Sequence, residues 1–430
     1  MERLMHYVWQ HRLMQPEDLV TVDGQRVSVI DPGLHNTDAG PDFFNAKLMI
    51  GAKMWAGDVE LHVRASDWHR HGHHRDKAYD SVILHVVDCD DAPVHRQNGE
   101  VIPQMVMRCA ADFSTRYDAL VGRSDIDLPC ASSFADTPRL HIASWLSALA
   151  YERLYDKAER LMALMENHPG DWDHALYVTL ARALGFGLNS IPMERLALAT
   201  PLAFLRKHAD SQLAVEALLF GQGGFLEEAG ATAADPYVEQ LRRHYAFLSH
   251  KFSLRPLESV GWKMGRTRPQ NLPHRRIAVL AAIICDNFRP VARILSLSEP
   301  EDAIRFFRTP LTGYWAHHYT LGGSESERSC EVISESSARI LVINVVAPLL
   351  MAWGLSHGSD EHMTRAREWL EQMAPERNSV VTAFTSAGLP CRTAFDSQAL
   401  VQLRREYCEK HKCIYCRIGH RILSRRARRD

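Results

Sequence analysis

The spacing of apolar residues changes character once, near Cys130-Ala131-Ser132-Ser133. Before that point, apolar positions mostly recur every second residue, with turn signals between the runs. Residues 2–14 are the exception, because Leu4, Met5, Val8 and Trp9 lie on one helical stripe that ends before Pro16. Val20–Val22 and Val27–Ile30 flank Asp23-Gly24, which predicts a tight hairpin. Phe43–Ile50 and Lys53–Arg64 flank Gly51-Ala52 and predict a second. Asp80–Asp88 reads as an apolar strand. Asn98-Gly99 is a turn signal, with Val101–Met107 as its outgoing strand. Residues 1–125 are therefore expected to form a mixed α+β domain.

From Arg139 onward the period is helical almost throughout, with Pro and Gly at the boundaries. Leu140–Glu166 is expected as one long helix or a pair. Further helices are expected over 172–186, 192–207, 210–220, 236–250, 274–286, 289–297, 300–308, 335–355, 360–373 and 376–386. No fixed-period repeat runs through them. Residues 137–390 are thus read as an all-α domain, and 391–430 as a Cys-rich C-terminal segment with a basic tail. The fold class is α+β overall.

Composition narrows the function classes. The chain has 430 residues, 46% hydrophobic and 24% charged, with a formal net charge of -2. That is ordinary for a globular protein and gives no global pull toward nucleic acid. No unbroken apolar run of membrane-spanning length and no secretory signal is seen, so no membrane partner is expected. The nine Cys are scattered until the end, which argues against a secreted disulfide framework and for a cytoplasmic location. Absence of GxxxxGK[ST], HExxH and GxSxG removes the P-loop, zincin and hydrolase-elbow chemistries.

Candidate chemistry begins in Lys53–Arg64. Strand alternation points Val59, Leu61 and Val63 one way and Asp58, Glu60, His62 and Arg64 the other. The second set is either a solvated face or the wall of a metal site. A hairpin turn at 51–52 brings Asp42 close to residues 60–64. Two carboxylates converging on one hard cation let that cation acidify water and neutralise phosphoryl oxygens.

Pro41-Asp42 followed by Glu60-Leu61-His62 resembles the PD-(D/E)XK nuclease superfamily. The resemblance covers roughly residues 1–110 and implies a restriction-endonuclease-like sheet domain. It also implies Mg or Mn held by Asp42 and Glu60, and phosphodiester hydrolysis on DNA or RNA. His62 stands where the superfamily pattern has Lys, so it is expected to act as base or third ligand rather than as a fixed cation. Lys47 alternates onto the face opposite Asp42. The wider string, from Tyr7-Val8-Trp9 through IDPGLHNTDAGPDF and GDVELH to the Cys-rich end, resembles an uncharacterised bacterial family of unknown function over the whole chain. That family supplies no activity.

Three further clusters carry chemistry. His69, His71, His73 and His74, with Asp67 and Asp76, form either a polar loop or a metal site, and His71 or His73 is well placed to join Asp42 and Glu60. Cys408-x4-Cys413-x2-Cys416 suits zinc or a [4Fe–4S] cluster, with Cys391 as the expected fourth ligand and His411 or His420 as alternatives. Arg266, Arg268, Arg275 and Arg276 line a loop, and Arg421–Arg429 a tail. Both suit phosphates or a solvated surface. The leading expectation is a metal-dependent nuclease. A non-catalytic nucleic-acid-binding scaffold with a degenerate nuclease fold stands beside it, and a hydrolase of another phosphorylated substrate is third.

Overall fold

The computed structural model describes residues 2–424, except 15–18, 37–38, 109–110, 122–127, 167, 229–234, 258–260, 266, 287–289 and 328–331. These residues form two units. One comprises Met1–Ala143, Ser386–Leu389 and Arg404–Asp430, and the other Ser144–Thr385 and Pro390–Leu403. The C-terminal tail thus belongs with the sheet, and residues just before it belong with the helices.

The first unit is built on a six-stranded mixed sheet. Its strands are β1 (Val27–Asp31), β2 (Leu34–His35), β3 (Phe43–Ile50), β4 (Lys53–Arg64), β5 (Val82–Cys89) and β6 (Gln104–Val106). The β3–β4 hairpin closes at 51–52 as the sequence predicts, with Ile50 paired to Lys53. Gly51 takes φ 59°, the left-handed conformation that such a turn needs. A bulge at Asn45 shifts the register between Phe43 and Ala46, and the Asn45 amide donates to Asp58 Oδ1 at 3.0 Å. The strand expected over Val101–Met107 is shorter and runs parallel to β5 rather than back along it. The Asn98-Gly99 turn closes only a single bridge, His95–Val101, and Pro103 then enters β6, where it has no amide to offer a partner.

Helix α1 (Glu2–Gln10) buries Leu4, Met5, Tyr7, Val8 and Trp9 in a core shared with Phe43, Leu48, Val59, Leu61, Leu84 and Val86. Ile414 and Leu423 from the tail enter the same core. Along β4 the solvated-face reading fails at Glu60 and His62, which are buried, and holds at Arg64, which is exposed. Glu60 is 4% exposed and His62 2%. Each must therefore find polar partners inside the sheet unit.

The second unit is helical, from Arg139–Ala163 (in which the division falls) through Trp172–Leu184, Gln212–Gln222 and Pro273–Cys285 to Ala394–Gln402. Glu335–His357 is long and apolar enough to cross a membrane, with mean hydropathy 1.8. Its most apolar window is 72% buried inside the fold, as for a core helix. Ser336, Arg339 and Asn344 interrupt its apolar run, which hides it from a search for unbroken stretches.

Candidate metal centre

Strand geometry places the two candidate carboxylates. Asp42 precedes β3 and Glu60 lies on neighbouring β4. The Asp42 amide donates to Glu60 Oε2 at 3.0 Å, and the Leu61 amide donates to Asp42 Oδ2 at 2.9 Å. Each carboxylate is anchored on the other strand's backbone. One oxygen of Glu60, Oε1, is left facing His62 Nε2 at 3.5 Å and His73 Nε2 at 3.4 Å. His6 Nε2 lies 3.2 Å from Asp42 Oδ2.

The loop after β4 supplies the imidazoles. A short helix, α2 (Asp67–Arg70), and a single turn at His73–Arg75 fold the His-rich stretch back over β4. Gly72, at φ 82°, lets the chain reverse between them. His71 Nδ1 comes within 3.2 Å of His62 Nε2. Among the described residues, His62, His71 and His73 are the set of three or more metal-capable donors that close to within 4.8 Å of one another. The His run divides here. His69 and His74 pack on each other, with ring centroids 4.9 Å apart. Asp67 binds Arg70 and the Arg64 amide, and Asp76 caps a turn through the Ala78 amide.

Behind His62 runs a buried chain of hydrogen bonds that fixes its tautomer. Gln104 Nε2 donates to Asp90 Oδ1 at 2.6 Å and to the Ala92 carbonyl at 3.2 Å. Its Oε1 therefore accepts from His85 Nδ1, 3.2 Å away, so that nitrogen carries a proton. His85 Nε2 is then an acceptor, and it meets His62 Nδ1 at 2.8 Å. His62 Nδ1 must carry its own proton, which leaves a lone pair on Nε2 aimed toward His71, His73 and Glu60. Metal-ligating imidazoles are commonly oriented in this way from behind. Glu60 pairs with His85, and His85 with Gln104, so the sheet register itself sets the row.

Electrostatics match the geometry. Burial, then the neighbouring His85, His73 and His71, push the His62 imidazole down to about 2. Burial, then His71, lowers His73 to about 4, and burial lowers His85 to about 4. All three rings are neutral at pH 7 and offer lone pairs. Burial first and the Asp42 charge second raise the Glu60 carboxyl far above the usual range. Without a cation, this pocket holds neutral ligands and a protonated acid. Tyr79 stacks on His73 at 3.8 Å, and buried Trp68 meets His73 edge-on and His85 at a tilt.

The model of a protein family described as "Protein of unknown function (DUF2851)" matches residues 2–379. The chain belongs to this family. No curated protein and no solved structure matches it. The DUF2851 match covers nearly the whole chain, as the resemblance to an uncharacterised family led one to expect; it contains every residue of the centre above and ends before Cys408–Cys416.

The other expected sites of this DUF2851 chain fall apart differently. Arg275 and Arg276 are 1% and 2% exposed. The Arg275 guanidinium donates to the Trp315 carbonyl, and Arg276 donates to Asn271 Oδ1 and lies 4.2 Å over the Phe186 ring. They are correctly read as basic but wrongly as surface groups, because Pro273 starts a helix that carries both inward. Arg268 is exposed, and Arg266 and Arg425–Arg429 lie outside the described residues. Cys391 belongs to the helical unit, whereas Cys408, Cys413 and Cys416 belong to the sheet unit. The Cys391 neighbours there are the Thr393 carbonyl and the Asp396 and Glu376 carboxylates.

Residues that sequence reasoning missed are His6, His85 and Gln104. His85 sits inside the apolar strand Val82–Cys89, and a lone His in an apolar run was its only signal. A cleft of about 650 Å³ in the sheet unit is lined by His11, His35, Arg417, His420 and Arg421. His35 also faces His6, with ring centroids 5.5 Å apart, and so links the cleft to the Asp42 side of the centre.

Proposed function

We propose that the sheet unit holds a divalent transition metal through His62, His71, His73 and Glu60, and that it hydrolyses a phosphoester with Asp42 at the edge of the site. The observation that carries this reading is the His62 lone pair, fixed by the His85–Gln104 chain and aimed at two more imidazoles and a carboxylate. Imidazole-rich sets favour transition ions over Mg²⁺. Of the cations implied by the nuclease resemblance, Mn²⁺ suits these donors better, and Zn²⁺ joins it as a candidate. A bound ion of this kind acidifies water and offsets charge on phosphoryl oxygens.

The chain's own residues supply the rest. Asp42, held by the Leu61 amide and flanked by His6, is placed to accept a proton at Oδ2 or its partner oxygen. His71 is exposed, so the site opens to solvent on that side, as a catalytic rather than a closed structural site requires. Arg417 and Arg421 line the adjoining cleft and suit an anionic substrate. The phosphodiester of a nucleic acid is the first substrate class to test, because Asp42, just before β3, and Glu60, on β4, are the carboxylates on which the PD-(D/E)XK resemblance rests. His62 in place of Lys favours the second reading, a non-catalytic nucleic-acid-binding protein, since a ring pushed down to about 2 supplies no fixed positive charge.

The test is cleavage of single- and double-stranded DNA and RNA and of a chromogenic phosphodiester with Mn²⁺, Zn²⁺ or Mg²⁺. Metal-dependent turnover lost in both Glu60→Gln and His62→Ala is expected. Metal binding at the His cluster without turnover on any substrate leaves the scaffold reading in its place.

A further inference from the structure

The tail helix Arg417–Ser424 forms one wall of the cleft of about 650 Å³ in the sheet unit. Ile418 and Leu423 on this helix are buried, and Leu423 enters the sheet core. Gly419 lets the helix lie against the turn Cys413–Tyr415, since a Cβ there would collide with the Cys413 carbonyl. Burial of the apolar side leaves Arg417 and Arg421, one turn apart, to line the cleft. The other walls bring His11 from just after α1, His35 from β2 and His141 from the helix Arg139–Ala163.

This lining is basic and unneutralised. Among the described residues that line the cleft, none is a carboxylate. Arg421 Nε is buried without a hydrogen-bond partner, and its guanidinium is in no ion pair among the described residues. An orphaned buried donor of this kind is costly until a polar group meets it. Tyr7 Oη lies 2.5 Å from His420 Nδ1, which holds that ring by one nitrogen and leaves Nε2 for another partner. The His11 ring stands 4.6 Å from His420.

Two guanidiniums disfavour a cation and set the charge of the occupant. Burial lowers His11 and His420, and His420 lowers His11 further, so both rings are neutral at pH 7 and donate without charge. The fixed positive charge of the lining is therefore that of Arg417 and Arg421. A phosphomonoester carries about 1.5–2 negative charges at pH 7 and three acceptor oxygens, and a guanidinium fork fits such oxygens in pairs. A phosphodiester offers only about one charge per phosphate.

We propose that this cleft binds a phosphomonoester, with the Arg421 and Arg417 guanidiniums on its terminal oxygens and His11 and His420 as further donors. The cleft uses none of the proposed metal ligands and binds without metal. It also sharpens the anionic substrate of the proposed function, and this consequence alone rests on that reading. His35 leads from the cleft to His6, and His6 to Asp42. A chain with a phosphorylated end can set that end in the cleft and a phosphodiester at the centre.

Calorimetric titration of metal-free protein in chelator tests the site. Its probes are 5′-AMP as a monoester, 3′,5′-cyclic AMP as a diester and adenosine as the uncharged control. AMP should bind about tenfold or more tighter than cyclic AMP, and adenosine should not bind. Arg421→Ala should weaken AMP about tenfold or more, as loss of a charged hydrogen bond does, and Arg421→Lys should restore part of it. Should Arg421→Ala fail to fold, inorganic phosphate should still raise the wild-type melting temperature above that in sodium chloride of equal ionic strength. An oligonucleotide that binds only with its 5′-phosphate assigns the site to chain ends, and AMP binding with no such dependence assigns it to small phosphoesters. Both keep the site. Equal binding of AMP and cyclic AMP, AMP binding unchanged in Arg421→Ala, or no effect of AMP and phosphate overturns it. With no metal present, none of these results bears on the His62 centre.

Discussion

Asp42 and Glu60 hold each other through the backbone: the Asp42 amide donates to Glu60 Oε2, and Asp42 Oδ2 accepts from the Leu61 amide. This exchange replaces two strand hydrogen bonds next to the bulge at Asn45 and makes the acidic pair part of the sheet's own ladder. Asp42→Ala leaves the buried Leu61 amide without its acceptor, a loss of about 1–3 kcal/mol. Chemical denaturation of metal-free Asp42→Ala against wild type measures it. A variant as stable as wild type would show that the clasp contributes nothing.

Gln104 sets the direction of the proton chain through His85, one step removed from the proposed ligand His62. Gln104→Leu removes the acceptor from His85 Nδ1 and frees His62 to take the other tautomer. Loss of such an outer partner costs about 10–100-fold in metal affinity. Competition titration with a chelating dye should show that drop for Mn²⁺ or Zn²⁺. Unchanged far-ultraviolet circular dichroism would separate it from unfolding.

Metal-free protein should be most stable near pH 6.5. The folded chain refuses protons at His62, His73 and His85 that the unfolded chain accepts below 6.5. The unfolded state therefore binds more protons between about pH 4 and 6.5, and stability rises with pH across that window. Glu60 has the opposite sign, because the folded state keeps a proton there above the ordinary value of 4.5. Above pH 6.5 only this opposing trend remains, and stability falls. Melting temperatures in chelator from pH 4 to 9 trace the curve, and His85→Phe should flatten its rising limb.

On the proposed reading, metal uptake displaces a proton from Glu60, whose carboxyl is held neutral by burial and by Asp42. Calorimetry of Mn²⁺ or Zn²⁺ binding near pH 7 in buffers of different ionisation enthalpy should show net proton release. Glu60→Gln should bind more weakly and release fewer protons.

Arg276→Ala should act on stability and leave any nucleic-acid binding alone. Its guanidinium is buried, bonded to Asn271 and stacked on Phe186. Truncation should cost about 2 kcal/mol or more from the lost packing and the unpaired acceptor. The salt dependence of DNA or RNA retention should match wild type. A weaker salt slope would return Arg276 to the surface.

The amino-acid sequence by itself determined the elements and their local geometry. Apolar spacing marked α1, the change to helices near Cys130 and the β3–β4 hairpin, because period and turn residues act over a few neighbours. It also put Glu60 and His62 on one face of β4 beside Asp42, since a hairpin joins residues through a short turn. Tertiary structure alone decided the rest. Whether that face met water depended on what covered β4, and the His71–His73 loop and His85 of the neighbouring strand lie against Glu60 and His62 there. His85 and Gln104 reach the site through parallel pairing of β4, β5 and β6, a register that no local pattern encodes. Arg275 and Arg276 look like a surface loop until Pro273 begins a helix that turns them inward. Cys391 is close to the tail's thiols in sequence, but only the fold puts it in the helical unit and Cys408, Cys413 and Cys416 in the sheet unit.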